Sequence, residues 1–517
     1  MSGLVDENYI NRYLKDSENS VDDLKLQIYT LNNEIIKRDK KIGELQFELQ
    51  GVNYQRYLKL DGIINKLKIV KPILRLCLKV YRGIKWIIRK LLKRNNVSVS
   101  ASDFKITPNI TDKDYMPRYN IKVSVIIPTK NGGDIFERLL KSMAGQLGIK
   151  EIEIIVVDSG SSDKTVDISK FLSAKVVSIK PEDFSHSYAR NLGAKNASGD
   201  YLLFMTQDAV PTDEYWLYKL ITPLIDEKVV AASAKEVQLD YGDMKYKIDS
   251  YMHNKFLGIE KNDVIGEMHE GISWMEKRKN AQLTDICCIV KKDIFEKYKY
   301  SGNFAEDLRL GLNLIENGYK IGLLSSVCVI HAHTRPSSYY MKRNFVDVRT
   351  LHDIFPEFKG VCINADELVG AVKKGYIYTE NIIEKLSWNG ESLEEFLDNL
   401  NLVADNTISD GENLNFDNEY QDEVFKNFII NLYNLDVKSC NSDILCNDLK
   451  SYIKNALRSY MTEKYSEMND KLLSEIKETI FKTYCGKIGE YFAYYMINNE
   501  KKEEYLREIA IILEKGV

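Results

Sequence analysis

Four consecutive segments decide the fold: VSVIIPTKNGG (residues 123–133), IEIIVVDSGSSD (152–163), FSHSYARNLGAKNASGD (184–200) and YLLFMTQDAVP (201–211). The apolar runs VSVII, IEIIVV and YLLFM read as strands, and each ends in a polar cluster. Helical spacing fills the intervals. Ile135, Leu139 and Met143 share one face, a second helix carries Val166, Phe171 and Leu172, and a third follows Ser185. Alternating strands and helices predict an α/β fold, Rossmann-like, with a mainly parallel sheet, flanking helices and right-handed crossovers. Polar residues gathered at the carboxyl ends of such strands mark a ligand-binding edge.

Outward from this stretch the pattern continues, less regularly. Residues 215–225 read as a helix, and 240–276 as a polar, aromatic loop region without periodicity on an acceptor side. Thr284 to Val290 has the character of a buried strand. A helix opens at Phe304-Ala305-Glu306-Asp307, runs through Leu314 and stops before Gly318, where a C-cap glycine belongs. Ile321 to Ile330 is strand-like and leads into HAHTRP. From about Phe358 the chain reads as helical throughout, with residues 405–420 as an acidic loop.

The chain has 517 residues, 44% hydrophobic and 29% charged, with a formal net charge of −4, which argues against a dedicated nucleic-acid partner. Eight scattered cysteines, none in a CxxC pair, fit a reducing compartment and small buried side chains. Residues 1–20 are polar and acidic and lack a signal-peptide pattern, and no apolar run spans a bilayer. These features predict a cytoplasmic protein. Residues 1–65 carry Leu24, Ile28, Leu31, Ile35, Ile42, Leu45 and Leu49 in steps of four and three, broken once at Arg38. That spacing predicts a coiled coil, hence a homo-oligomer, or else a lone amphipathic helix. Residues 66–95 form a basic amphipathic segment, with eleven Lys or Arg and no acid between Lys66 and Arg94. It suits peripheral attachment to an anionic membrane face, or a helix packed on protein with a solvated basic side. Residues 96–120 are a linker, 121–357 the α/β domain and 358–517 an all-α region.

The strand ends offer several groups for chemistry. Neither GxGxxG nor GxxxxGK[ST] is present, so dinucleotide and P-loop fingerprints are absent. Pro128-Thr129-Lys130-Asn131 and Asp158-Ser159 can hold a base and ribose, although Asp158 equally suits the turn itself. Asp208, in Thr206-Gln207-Asp208, can hold a hard cation that bridges phosphates, or shape the turn before Pro211. Glu306 and Asp307 can favour a helix dipole or serve as a general base. His331 and His333, two apart at a strand end, can face one cavity and share a metal.

In this order the motifs resemble a family 2 glycosyltransferase with a GT-A fold. The resemblance rests on VSVIIPTKNGG, IIVVDSGSSD, ARNLGAKNASGDYLLFMTQDAVP, NFAEDLRLGLNLIENGYKI and VIHAHT, from Val123 to about Phe355. The FSHSYARNLGA and TQDA wording is most similar to bacterial rhamnosyltransferases. The resemblance implies that Pro128, Thr129 and Lys130 lie against the nucleoside, that Asp158 binds the base, and that Arg190 approaches the nucleotide. It implies that Asp208 is the metal carboxylate of a DxD motif, that Asp307 is the catalytic base with Glu306 beside it, and that His331, with His333, completes the metal site. Two departures stand out: Thr206 replaces the first DxD carboxylate, and Lys130 stands where an aromatic residue is common.

The resemblance further implies inverting transfer of a sugar, rhamnose on wording alone, from a nucleotide-diphosphate donor, with Mg²⁺ or Mn²⁺ as cofactor. A lipid-linked or cell-surface glycan is the expected acceptor, and a cytosolic surface or flagellar protein the alternative. A reading of another class is a coiled-coil scaffold with a degenerate sugar-nucleotide domain.

Overall fold

The computed structural model describes residues 119–238, 242–409, 418–435 and 442–514. The expected coiled coil, basic helix and linker lie outside the described residues. The first half alternates as the sequence predicts: β1 (Tyr119–Thr129), α1 (Gly133–Ala144), β2 (Ile149–Asp158), α2 (Thr165–Phe171), β3 (Lys175–Ser178), α3 (His186–Lys195) and β4 (Tyr201–Met205). The second half comprises β5 (Val210–Pro211), α4 (Trp216–Ile225), β6 (Ala231–Val237), α5 (Met244–Leu257), β7 (Val264–Gly266), α6 (Trp274–Asn280), β8 (Cys287–Lys291), α7 (Lys292–Tyr298), α8 (Glu306–Glu316) and β9 (Ile321–Ile330).

These strands form one sheet in the order β3-β2-β1-β4-β8-β6-β9-β5, with β7 also paired to β9. The pairs β1–β2, β2–β3, β1–β4 and β6–β9 are parallel. β8 runs against both of its neighbours, so its first residue, Cys287, faces Met205 at the end of β4. The sheet is of the GT-A type that the resemblance implies, and it is mixed. Side chains alternate between its faces. Val125 and Ile127 pack with Phe136, Leu139 and Met143 of α1 and Trp216 of α4; Ile126, Val157 and Phe204 pack with Ala189 of α3 and Leu310 and Leu314 of α8. The adjacent Cys287 and Cys288 are free thiols, one in each layer. Cys446 and Cys485 are buried too, whereas Cys328 is half-buried and Cys362 is exposed.

The region expected to be a loop, 240–276, instead contains the four-turn helix α5 and the short strand β7 and runs into the start of α6. Its weak periodicity has a physical cause. Tyr246, Asp249, Ser250 and His253 of α5 line a polar cleft while Met244 and Ile248 enter an apolar core, so polar and apolar faces are both partly covered.

After β9 the chain is helical: α9 (Ser337–Ile354), α10 (Ala365–Lys385), α11 (Leu393–Asn406), α12 (Glu423–Tyr433), α13 (Ile444–Tyr452), α14 (Arg458–Lys464), α15 (Asp470–Asn498) and α16 (Glu504–Glu514). A π-helical turn, Ile453–Leu457, joins α13 to α14. α15 is buried along most of its length and packs against α9 and α10 through Ile480, Tyr484 and Ile488. At Gly489 it passes so near α9 that a Cβ would lie 1.8 Å from the Met341 carbonyl oxygen. No described helix is long and apolar enough to cross a membrane.

Within this helical core, burial foremost raises the Glu380 carboxyl from its ordinary 4.5 to about 7, even though Asn418 donates a hydrogen bond to it (2.8 Å). A carboxyl raised by folding favours the protonated protein, so stability falls as pH rises above about 4.5 and levels off above about 7. Glu380→Gln is therefore expected to raise stability by roughly 1–3 kcal/mol at alkaline pH and to change it little near pH 4.5. Thermal melts at both pH values check this.

Candidate active site

The carboxyl edge of the parallel strands opens into a cleft of about 850 Å³, walled on the far side by α5, α6 and α9. Pro128, Thr129, Lys130, Arg190, Asp208, His331 and His333 all line it. Asp158, Glu306 and Asp307 do not appear among its lining residues.

At the centre, Asp208 faces both histidines. Its Oδ1 lies 3.3 Å from His331 Nε2 and its Oδ2 lies 3.7 Å from His333 Nε2. The far nitrogen of His331 is held by residues that the sequence reading did not single out. Nδ1 lies 2.6 Å from Glu236 Oε1 and 3.0 Å from the Tyr246 hydroxyl, which itself donates to Glu236. A carboxylate on Nδ1 keeps a proton there, and Nε2 is turned toward Asp208, where it carries the second proton that a cation would displace.

Burial works against the charge of Asp208, but hydrogen bonding and charge from His331, then His333, outweigh it and hold its carboxyl at about 2. Burial likewise opposes a charged His331, yet Asp208 and Glu236 raise it to about 10. His333 goes the other way, lowered to about 4 by burial and by the charge of His331. One oxygen and two ring nitrogens, all within 4.8 Å of one another, are also a donor set that a divalent cation can occupy in place of the His331 proton. The residues present thus fit a divalent metal.

Gln207, in the middle of the altered DxD, has a structural task. Its side chain accepts from the Lys130 N–H (2.9 Å) and donates to the Lys130 carbonyl (3.2 Å). It ties the turn after β4 to the turn after β1. The turns after β1 and β2 are tied in the same way. Asn131 N–H donates to Ser161 Oγ, and the Asn131 side chain accepts from Ser162 N–H, each at 2.8 Å. Asp158 also shapes its own turn, accepting from the backbone of Gly160 (3.1 Å) and Ser161 (3.2 Å).

A second cluster sits beside the first. Arg190, 1% exposed, places Nη1 2.5 Å from Glu306 Oε1 and Nη2 3.3 Å from the Asp285 carbonyl and 3.5 Å from its carboxylate. Asp307 accepts from the Asp285 N–H (3.0 Å) and from the Leu308 N–H (2.8 Å). Three carboxylates thus gather around one arginine, and the contacts of Arg190 go to Glu306 and Asp285. Burial, then the charges of Asp285 and Glu306, raise the Asp307 carboxyl well above its ordinary value. Like-charged neighbours in one site raise one another's proton affinity, that of Asp307 among them.

Asp285 was also missed by the sequence reading, although it lines the cleft. The parallel-sheet expectation looked for polar groups after strands, and Asp285 precedes one. Because β8 is antiparallel, its start lies on the same edge as the ends of β1, β2 and β4.

A catalytic domain of the GT-A type, with a carboxylate–histidine cluster at its strand ends, is the class that fold and site define. Residues 124–284 match the family model described as Glycosyl transferase family 2, and the chain carries a glycosyltransferase domain of that family. The O-antigen chain rhamnosyltransferase RfbN of Salmonella typhimurium is 26% identical over 243 residues, covering 46% of this chain and 74% of that protein. The O-antigen chain rhamnosyltransferase WbaN of Salmonella anatum is 25% identical over 246 residues, covering 45% and 73%. Among solved structures, a mannosyltransferase from Pyrobaculum calidifontis in complex with GDP-Man and Mn²⁺ aligns with a TM-score of 0.37 at 15% identity. That alignment covers 75% of this chain and 90% of that one.

Proposed function

We propose that this protein transfers a sugar, rhamnose by preference, from a nucleotide-diphosphate donor to a hydroxyl of a cell-surface glycan, with inversion at the anomeric carbon. The observation that carries the reading is the cleft itself, where Asp208, His331 and His333 converge beside the carboxylates around Arg190. The two rhamnosyltransferase relatives support the donor sugar and the glycan acceptor.

In this reading the turns at Pro128–Lys130 and beyond β2 receive the nucleoside, with Asp158 shaping the second turn and offering its carboxylate to the base. Asp208, His331 and His333 hold a divalent cation at the diphosphate. When bound, that cation neutralises charge developing on the leaving diphosphate. Two imidazoles beside one carboxylate form a softer donor set than Mg²⁺ usually takes, so Mn²⁺ is expected to support activity better than Mg²⁺. Arg190 pairs with Glu306 and Asp285 and leaves Asp307, with its raised proton affinity, to take the proton of the acceptor hydroxyl. The freed oxygen attacks the anomeric carbon from the face opposite the nucleotide, and the carbon–oxygen bond to the diphosphate breaks.

The deciding experiment is nucleotide release from a panel of nucleotide sugars, with and without a surface-glycan acceptor. Acceptor-dependent release from a deoxythymidine diphosphate–rhamnose donor is the expected result. No release from any donor in the panel would return the chain to the scaffold reading. Oligomerisation and attachment to the cytoplasmic membrane face through residues 1–95 belong to the same proposal. Unchanged membrane sedimentation after deletion of residues 66–94 would remove the attachment.

A further inference from the structure

A buried ion pair ties the C-terminal helix α15 to the segment beside the carboxylate–histidine cluster. α15 presents Lys482, whose Nζ lies 3.0 Å from Asp243 Oδ2, and the two side chains are only 3% and 4% exposed. Asp243 immediately precedes α5 and is the point on which the histidine-bearing loop is hung. Its N–H donates to the carbonyl of His333 (2.9 Å). Its carboxylate accepts from the N–H of Arg335 (2.9 Å), from the Tyr340 hydroxyl (2.7 Å) and from the N–H of Tyr246 (2.8 Å).

Tyr246 is in the first turn of α5, and its hydroxyl reaches Glu236 and His331 Nδ1. Asp243 therefore fixes the backbone at His333 through its N–H and at Arg335 through its carboxylate, and the same carboxylate starts the helix that orients His331. The preceding Gly242 has φ +94°, and a Cβ there would lie 3.0 Å from the His333 carbonyl oxygen, so the two segments are in direct contact. Seen from the metal, Asp243 and Tyr246 are the outer partners that set how the histidines are presented.

Lys482 is the cation that compensates that carboxylate away from water. Three neutral hydrogen-bond donors remain without it, but a buried carboxylate with no cation is costly and turns toward solvent. That movement loosens the contacts to Arg335 and Tyr246. For stability alone the pair has little advantage over apolar side chains of similar size. Its location gives it another use.

We infer that Lys482 is a positioning residue for the cation site, setting the presentation of His331 and His333 from the C-terminal helices by holding Asp243. The inference rests on the reading that Asp208, His331 and His333 hold a divalent cation. It gives the region after residue 358 a part in donor binding.

The test is direct Mn²⁺ titration of the full-length protein, followed by electron paramagnetic resonance, without donor or acceptor. Lys482→Met is expected to weaken Mn²⁺ binding by about 10–100-fold, the usual effect of losing an outer partner. Lys482→Arg is expected to restore most of it. The double variant Lys482→Met with Asp243→Asn leaves no unpaired buried charge, so it separates misfolding from loss of position. The same weakening is expected there, with circular dichroism unchanged. Mn²⁺ affinity within about twofold of wild type in this folded double variant would overturn the inference while leaving the cation site intact. If wild type binds Mn²⁺ no better than Asp208→Ala, the cation reading fails and the inference falls with it.

Discussion

Asp307→Asn is expected to lower sugar transfer by about 10²–10⁴-fold, the range for loss of a general base, with donor affinity nearly unchanged. The substitution keeps the side chain's shape and one oxygen to accept from the Asp285 or Leu308 N–H, but removes the proton acceptor. The neighbouring Asp285 supplies the control. It lines the cleft, whereas Asp307 lies behind it and binds its backbone. Asp285→Asn should therefore disturb donor or acceptor binding more than proton removal. Single-turnover rates and donor titrations on both variants separate the roles. Equal loss of binding and transfer in Asp307→Asn would make that residue structural. An active Asp307→Asn beside a dead Asp285→Asn would move the base to Asp285.

The second large effect concerns Asp208. It contributes an oxygen to the three-donor cluster and is the partner of both histidines. Asp208→Ala is expected to weaken donor binding by more than tenfold when Mn²⁺ is present and to change it little when metal is chelated, since the variant has then lost only what chelation already removes. Calorimetric donor titrations with Mn²⁺ and with EDTA provide the comparison. Identical wild-type affinity and activity in the two media would exclude a metal role for Asp208.

Much of this architecture can be read from the chain because local signals and tertiary environment agree. Val125, Ile126 and Ile127 pack into alternate layers, and of the α1 face formed by Ile135, Leu139 and Met143 the last two are buried and Ile135 is partly buried, with Phe136 taking the deeper place. Asp208, His331 and His333 could be grouped in advance because each follows a strand that ends on the binding edge. The remainder depends on partners distant in sequence. α5 lacks a clean apolar stripe because its polar face is covered by ligand-binding space. Asp285 stands at the beginning of the one interior strand that is reversed. Asp158 has the residue type of a base-binding group, yet its own turn provides its hydrogen bonds. Lys482 is a lysine inside a helix buried on most sides, and only the fold reveals the carboxylate 239 positions earlier that makes its burial tolerable.

That separation has a consequence for the order of events during synthesis. Domains generally fold in the order in which they are made, at about 5–20 residues per second. Asp243 therefore waits roughly 10–50 s for Lys482 to be translated, at those rates. During that interval the sheet can already be packed by its own helices while the loop of His331 and His333 lacks its last support. A nascent chain would then acquire its apolar core well before it acquires an ordered centre for chemistry. Donor competence would arrive late, with α15.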